Sequence, residues 1–330
     1  MTGRRGTASE APTSGAVGVD AQVSRPGSRP LAQRGILLMI LSTVAFAAML
    51  SLVKLARREL GAFEVMCWRA ATSVPLALLL VWRSASAGSL RRLFRVQRKA
   101  LLTARVVMGF CAMSSFYIAA RGLSVADISI IHKLQPILIA VLAPWVLGAG
   151  ERSSRGIWLA LVAGIGGSAL VLGPELSFGS GYAIAALVGT AASAGAHLAV
   201  RALGRTERAS NIVLWFQLGV LGISVSVLLV RHGAVPLPPA HLVPHLCGIG
   251  VAATIGQALM TQAYAVEKAS TVAAASYVAP LWGVASDLVI FRTVPEPSVW
   301  IGGTLIVAGG LLLLKATRQI QGREDEASDV

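Results

Sequence analysis

Ten long apolar stretches, joined by brief polar connections, constrain this 330-residue chain more than any other feature. A bilayer core about 30 Å thick is crossed by about 20 residues of helix, so each stretch is long enough to span it. Transmembrane β-strands would instead alternate over short segments. The predicted spans are Gly35–Val53, Phe63–Trp82, Ala100–Ala120, Val125–Val146, Gly156–Leu172, Gly181–Leu203, Asn211–Val230, Leu242–Ala263, Ser270–Phe291 and Ser298–Leu314. The pattern predicts an all-α membrane protein with ten transmembrane helices.

The scarcity of charged residues supports a membrane location. They form 13% of the chain, against roughly 25% in soluble proteins, which leaves too few polar groups to cover a water-exposed surface. The formal net charge of +14 would suit nucleic-acid binding if the basic residues clustered on a folded polar surface. They lie between apolar runs instead, so we expect membrane lipid, and no nucleic acid, as a partner.

The positions of Lys and Arg predict the orientation in the membrane. If the N-terminus is cytoplasmic, 20 of the 29 Lys and Arg residues lie in cytoplasmic segments and six lie in the opposite loops. Cytoplasmic loops typically carry such an excess. We therefore expect a multi-pass protein of the inner (plasma) membrane with both termini in the cytoplasm. Residues 1–34 are predicted to be a disordered tail, and residues 317–330 a second cytoplasmic tail.

Two halves of the chain, residues 35–173 and 179–316, show the same order of landmarks. Pro136 and Pro280 lie 144 positions apart, each near the middle of an apolar span. Each is followed by an acid, a Trp and a glycine pair, namely Glu151, Trp158 and Gly166-Gly167 in the first half and Glu296, Trp300 and Gly309-Gly310 in the second. Because each half has an odd number of spans, the halves are predicted to insert in opposite orientations. Inverted repeats with interrupted helices in matching positions are typical of secondary transporters.

Several motifs of the first half resemble those of the EamA-type drug/metabolite transporters. They are Tyr117-x-x-Ala120, Ser124-Val125-Ala126-Asp127, Pro136, the Gly150-Glu151 pair and Glu64-x-x-x-x-Arg69. The second half is less similar, since no acid aligns with Asp127. The resemblance implies a carrier with a central cavity between the halves, which moves an amino-acid-like, nucleoside-like or other small organic solute. We expect alternating access, with proton coupling and exchange both left open.

Lys133 is the foremost charge inside a predicted span. A helical rise of 1.5 Å per residue places it about 12 Å below Val125, close to the membrane midplane. A charge at that depth is costly and is usually functional. Lys133 is therefore a candidate for binding an anionic group of the substrate or for coupling. The alternative is a lysine that pairs with a carboxylate and holds two helices together.

Further candidates accompany Lys133 in the predicted spans. The substrate-cavity candidates are Lys133, Pro136, Tyr117, Tyr277, Pro280, Arg69 and Arg105, and the coupling candidates are Asp287, Asp127 and His132. Alternatives stay open for most of them. The two arginines could snorkel towards the membrane surface, and the tyrosines could be interfacial anchors. His132 could be a packed histidine, and Asp127 a solvated carboxylate at the membrane boundary.

No motif of a common enzyme class or of a nucleotide site is found. The sequence contains no H-E-x-x-H, no G-x-S-x-G and no Gly-Lys-Ser/Thr phosphate loop, so ATP is not expected to drive transport on this chain. Cys67, Cys111 and Cys247 have no metal-ligand spacing, and we expect neither a metal nor a cofactor. A secondary carrier of a small-molecule substrate is the main prediction. The alternative is an intramembrane enzyme acting on a lipid or isoprenoid. The substrate, the direction of transport and assembly as a homodimer stay open.

Overall fold

Helices form the regular structure in the part of the chain that the structure describes. The computed structural model describes residues 31–84, 96–119, 122–123, 125–172, 181–286 and 297–328. The helices are α1 (Leu31–Ala56), α2 (Ala62–Arg83), α3 (Lys99–Ala119), α4 (Val125–His132), α5 (Gln135–Leu147), α6 (Arg155–Leu172), α7 (Gly181–Leu203), α8 (Ala209–His232), α9 (Val243–Val266), α10 (Ala269–Ala275), α11 (Ala279–Ser286) and α12 (Pro297–Ser328). Short 3₁₀ turns occur at Ala149–Glu151, Ala240–Leu242 and Ser276–Val278. Over the described residues, the all-α prediction is confirmed.

The two predicted tails fall at the limits of the described residues. The first predicted tail is residues 1–34. Residues 1–30 lie outside the described part, and α1 begins at Leu31. At the other end α12 continues through most of the second predicted tail, residues 317–330, and ends at Ser328.

Within the residues that the structure describes, eight helical segments are long and apolar enough to cross a membrane. They are Gln33–Val53, Ala62–Arg83, Lys99–Phe116, Ile130–Leu147, Gly181–Leu203, Ala209–His232, Ala240–Val266 and Pro297–Thr317. The helix α6 is apolar but shorter. The ninth predicted span, Ser270–Phe291, corresponds to α10, a 3₁₀ turn and α11, and residues 287–291 lie outside the described part. Helices satisfy their own backbone hydrogen bonds, which spanning segments must do in lipid. The chain is therefore a multi-pass membrane protein.

Large apolar side chains cover the outer surface of the helices, and several charged side chains are buried between them. Trp145 and Val230 are 86% and 88% exposed. In contrast, Arg69, Arg105 and Glu151 are buried. Charges within membrane segments usually face the interior of a bundle and mark functional pathways, because exposure to hydrocarbon is costly. The buried polar residues therefore indicate where a functional site lies.

Four helix pairs make the most extensive contacts, namely α1 with α9, α3 with α7, α2 with α8, and α6 with α12. Glycines allow close approach where α6 crosses α12. A methyl group added to Gly167 would lie 2.6 Å from the carbonyl oxygen of Gly302, and one added to Gly302 would lie 2.6 Å from that of Gly167. Lipid supplies no hydrophobic driving force between helices, so close backbone packing of this kind is what holds membrane helices together.

Two helices are interrupted near their middle, each just before a proline. Between α4 and α5, the amides of Lys133 and Leu134 bond to carbonyls three residues back instead of four. Pro136 follows at the start of α5. The helices α10 and α11 are separated by the 3₁₀ turn Ser276–Val278, and Pro280 is the second residue of α11. Proline has no N–H to donate and clashes with the carbonyl four residues before it. The interruptions predicted at both prolines are therefore observed.

Candidate functional site

The two interruptions meet each other between the helices. The hydroxyl of Tyr277 donates a 2.7 Å hydrogen bond to the backbone carbonyl of Lys133. Lys133 Nζ donates a longer one, 3.4 Å, to the carbonyl of Ser276. Lys133 Nζ also lies 5.9 Å from the centre of the Tyr277 ring, within range of a cation–π interaction. Each interrupted helix therefore supplies a donor to the other.

The two prolines explain why backbone carbonyls are available at this junction. In an unbroken helix the carbonyl of Ser276 would accept from residue 280, but Pro280 has no N–H. The amide of Ala279 donates to that carbonyl in the 3₁₀ turn, and Lys133 Nζ adds a second, longer bond to it. Pro136 likewise cannot donate to the carbonyl of His132. In transporters the unwound carbonyls of interrupted helices coordinate cations, and the N-termini of the half-helices point at anionic substrate groups. The junction thus combines a cation, a phenol and the irregular backbone of two helices at one point.

His132 and Gln135 extend this polar region towards α7. His132 Nε2 lies 3.4 Å from Ser193 Oγ, and its ring packs edge-on against Phe116 at 4.8 Å between centres. Gln135 Nε2 lies 2.6 Å from His197 Nδ1, which is also 2.7 Å from the carbonyl of Ser193. One ring nitrogen cannot accept from the amide and donate to the carbonyl at once, so the histidine tautomer selects between these two bonds. His132 has the contacts of a packed, hydrogen-bonded histidine.

Two buried arginines lie on the inward faces of α3 and α2. Arg105 Nη2 donates to Gln257 Oε1 at 3.1 Å, and its guanidinium lies 3.9 Å from the ring centre of Phe216. Arg69 Nη1 lies 3.6 Å from Met113 Sδ. Both side chains are buried between helices and do not snorkel to the surface. A stacked guanidinium keeps N–H donors along its edge, which suit carboxylate or phosphate. Two further cations are therefore buried between the helices.

Three of the predicted candidates fall outside the described part of the structure. Asp287 is one of them, and the side chains of Tyr117 in α3 and Asp127 in α4 are the others. The roles proposed for these residues stay predictions. Among the described residues, no group of three or more His, Cys, Asp or Glu side chains is arranged to hold a metal ion.

A buried carboxylate joins four helix termini at one end of the helices. The side chain of Glu151 is 3% exposed and accepts from Arg201 Nε at 2.8 Å, Arg205 Nη2 at 3.4 Å and the amide of Ala269, the first residue of α10, at 2.8 Å. Arg201 Nη1 also donates to two carbonyls near the end of α9, at 2.9 and 3.2 Å, and Arg205 Nη1 donates to the last carbonyl of α5 at 3.2 Å. We name Glu151, Arg201, Arg205 and Ala269 the Glu151 cluster. Arg201 lies in the last turn of α7, and Arg205 lies just after its end. The cluster therefore connects α5, α7, α9 and α10.

A cavity of about 580 Å³ lies at the opposite end, among the ends of α1, α2, α3 and α8. The residues that line it include Arg57, Glu64, Arg231 and His232. A groove of about 430 Å³ adjoins it between α3 and α8. Lys133 lines neither space. We name this end of the helices the Glu64 end.

A model of the EamA-like transporter family matches residues 33–173 and 180–315. The chain belongs to this family. Two relatives, the pseudopaline exporter CntI from two strains of Pseudomonas aeruginosa, are 29% and 30% identical over 291 and 289 residues, covering 87% of this chain and 98% of each relative. A riboflavin transporter of Rhizobium johnstonii is 28% identical over 232 residues, covering 63% of this chain and 74% of that one. A crystal structure 16% identical in sequence, covering 88% of this chain and 97% of that one, has a similar fold, with a TM-score of 0.72.

As a member of the EamA-like family, the chain is a membrane transporter of a small solute. The resemblance found in the sequence is thereby confirmed. The names of the relatives favour transport over the alternative of an intramembrane enzyme.

Several interior polar residues of this EamA-like protein were not among the predicted site residues. They are Gln135, Ser193, His197, Gln257 and Tyr264. His197 joins α7 to α9, since its Nε2 lies 3.1 Å from Met260 Sδ and its ring centre lies 5.3 Å from that of Tyr264. The sequence did contain a signal for them, because each is a polar or amphipathic side chain within a predicted apolar span. Polar residues in membrane helices often bond across helices, but the sequence does not show which of them face inward.

Proposed function

We propose that this protein is a secondary transporter that moves a small anionic metabolite across the inner membrane by alternating access, with both termini in the cytoplasm. The observation that carries the proposal is the junction of two interrupted helices at Lys133 and Tyr277. An amine in such a place recognises a carboxylate or phosphate through its charge. The relatives named for pseudopaline and riboflavin support an organic solute as the cargo.

The helix pairing supports ten spans arranged as two inverted repeats, residues 35–173 and 179–316. In the two halves, α1 is the counterpart of α7 and α3 is the counterpart of α9. The α1–α9 contact in this scheme therefore corresponds to the α7–α3 contact, and both are among the most extensive contacts. Exchanging the halves leaves the α2–α8 and α6–α12 pairs unchanged, since each joins a helix to its own counterpart. Lys133 and Tyr277 are also counterparts, 144 residues apart, and they contact each other. A pseudo-twofold axis through the junction accounts for all of these pairings.

The proposed binding site is the interior around the junction. Lys133 Nζ now donates to a backbone carbonyl at 3.4 Å, a long bond that an anionic group would replace with a stronger, charge-assisted one. Arg69 and Arg105 supply further positive charge on the faces of α2 and α3. Pro136 and Pro280 keep the backbone open beside it. In this proposal His132 and Gln135 position the junction against α7.

The Glu151 cluster is the proposed gate on one side of the membrane. It ties α5 and α10, which belong to the two interrupted helices, to α7 and α9. Alternating access requires one side to open while the other closes, mostly by rocking of the repeats about the site. The cluster has to part or move as a unit when its end opens, while the Glu64 end, which already contains a cavity, closes.

The test of the proposed function is transport itself. Small metabolites are measured in the cytoplasm and medium of cells with and without the protein, and the solute whose distribution changes is then followed in proteoliposomes. Flux with and without an imposed proton gradient separates proton coupling from exchange. A reporter fused after Val330 that is active only outside the cytoplasm checks the orientation, and it should stay silent.

Substitution of Lys133 decides whether the junction is the site. Lys133→Ala should abolish transport and Lys133→Arg should retain part of it, with membrane abundance measured for each. Lys315→Ala removes an exposed lysine of α12 and is the matched control, which should transport normally. Transport by Lys133→Leu at the wild-type rate and affinity would overturn the proposed site.

A further inference from the structure

The cavity at the Glu64 end has more basic than acidic groups. Arg57, Arg231 and His232 share it with one acid, Glu64. The Glu64 carboxylate accepts the amide of Gly61 at 3.2 Å, so it already serves to cap the start of α2. A volume of about 580 Å³ lies within the range of ligand-binding pockets. Its size and its excess of positive charge both favour an anionic ligand.

Arg231 is the residue best placed to bind the anion. Its guanidinium carbon lies over the ring of Phe63, 4.7 Å from the ring centre, within range of a cation–π interaction. Stacking uses the face of the guanidinium and leaves its N–H edge for a ligand, and this edge matches two oxygens of a phosphate. Arg231 is the last residue but one of α8, which puts it at the membrane boundary if α8 spans the bilayer.

An apolar groove continues from the cavity towards the middle of the membrane. It shares Phe63, Ser114 and Arg231 with the cavity, and its other lining residues include Phe110, Ile223, Val227 and Val230. Val230 is 88% exposed, so the groove lies on the outer surface of the helices. Eight residues of α8 separate Arg231 from Ile223, which corresponds to about 12 Å along the helix. The groove therefore extends from the headgroup level into the region of acyl chains.

We propose that the cavity and the groove together form a binding site for an anionic phospholipid of the surrounding bilayer. The phosphate lies against the edge of Arg231, and one acyl chain lies in the groove between α3 and α8. A soluble anion would use the cavity alone, whereas the groove beside it matches a ligand that has both a negative head and an apolar chain. The positive charge of Arg231 at the membrane boundary attracts the phosphate of such a lipid. The site is separate from the Lys133 junction, so it does not depend on the proposed transport function.

Lipid binding to the purified, full-length protein tests the proposal. Native mass spectrometry measures the dissociation constants of phosphatidylglycerol and of phosphatidylcholine with the same acyl chains. The wild type should bind phosphatidylglycerol about tenfold more tightly, and Arg231→Gln should remove most of that preference, since one charge-assisted phosphate contact is lost. Arg152→Gln, which removes an exposed arginine near the Glu151 cluster, is the matched control and should keep the preference.

Two further measurements locate the acyl chain and identify the source of the anion. Ile223→Trp fills the groove without changing charge and should weaken both lipids about equally. Glycerol 1-phosphate carries the headgroup charge without a chain and should not displace phosphatidylglycerol at equal concentration.

Equal affinity of the wild type for the two lipids, or an unchanged preference in Arg231→Gln, would overturn the proposal. Displacement by glycerol 1-phosphate would also overturn it and would assign the cavity to a soluble anion. The readout is binding, so loss of transport in Lys133 variants leaves this test unaffected.

Discussion

The two ends of the helices each hold a contact between an acid and a basic side chain, and the two contacts differ in exposure. In the Glu151 cluster, Glu151 and Arg201 are 2.8 Å apart, with side chains only 3% and 15% exposed. At the Glu64 end, Glu59 and His241 are 3.0 Å apart, with side chains 49% and 63% exposed. The distances are similar, but water screens the second pair and not the first. Burial, rather than geometry, makes one end strongly coupled and leaves the other weakly coupled.

This difference fits the task of a transporter. A buried carboxylate with three donors keeps the Glu151 cluster closed, because separating the partners would leave charges without water or a counter-ion. The Glu64 end has a cavity where the corresponding helix ends meet. If this end opens during transport, as proposed, the partners must move together or become hydrated as they part.

The largest expected effect is that of removing the acid from the Glu151 cluster. Glu151→Ala leaves Arg201 and the amide of Ala269 buried without their partner, and it should lower the free energy of unfolding by about 3–5 kcal/mol. Reversible unfolding in mixed micelles measures this change. Glu59→Ala is the matched variant at the other end, and its effect should stay below about 1 kcal/mol. Equal losses in the two variants would mean that burial does not distinguish the ends.

The second-largest loss of stability is expected from a change in the close backbone packing of α6 against α12. Gly167→Ala places a methyl group against the carbonyl oxygen of Gly302, so α6 and α12 must move apart, at a cost of about 1–3 kcal/mol. Gly310→Ala is the control in α12, where nothing lies within 4 Å of the added methyl group, and it should be neutral or slightly stabilising. Thermal unfolding of both variants measures the difference. A neutral Gly167→Ala would show that the α6–α12 contact is looser than described.

A smaller effect is expected midway between the ends, at the junction. Tyr277→Phe removes the 2.7 Å hydrogen bond to the carbonyl of Lys133 and keeps the ring, and it should cost about 1 kcal/mol. Tyr182→Phe, at a tyrosine that is 41% exposed, is the control and should change stability by less than about 0.5 kcal/mol. If thermal unfolding shows the two variants to be equally stable, the hydroxyl of Tyr277 does not hold the interrupted helices together.

The smallest effect concerns Glu267, which follows α9 beside the Glu151 cluster. Burial raises the pKa of this carboxyl above its usual value, the Glu151 charge adds to the shift, and the amide and ammonium of Lys268 and the charge of Arg201 oppose it. The folded protein therefore holds this proton more tightly than the unfolded chain. Below the unfolded pKa of about 4.3, the Glu267 carboxyl does not lower the free energy of unfolding. As pH rises through the folded pKa, its ionisation lowers the free energy of unfolding.

Glu267→Gln should remove that cost. Unfolding curves between pH 4 and pH 8 should show the variant to be more stable at neutral pH, by less than about 1 kcal/mol, with no gain at pH 4. A constant difference at every pH would assign the effect to a changed hydrogen bond rather than to ionisation.

Much of the fold could be predicted, because its signals are local. Pro136 and Pro280 predicted the interruptions of two helices, since each lacks the N–H that would continue the hydrogen-bond ladder. Pro75 and Pro144, in contrast, lie inside helices that continue past them. Lys133 and Tyr277 lie 144 positions apart, as Pro136 and Pro280 do, but their contact is visible only in the structure. The Glu151 cluster was not predicted, because Glu151 was noted only as a landmark of the repeat, while its partners Arg201 and Ala269 lie 50 and 118 residues away.

The sequence by itself determined that this chain lies in a membrane, roughly where its helices run and where two of them break. Those properties depend on neighbouring residues, since a segment in lipid must satisfy its backbone hydrogen bonds internally. Only the tertiary structure decided that Gln135 meets His197, that Arg105 meets Gln257 and that Glu151 joins four helix ends. A helix that is apolar on nearly all sides carries no stripe that shows which face turns inward. The partners of its few polar residues are set by packing against helices far away in the chain.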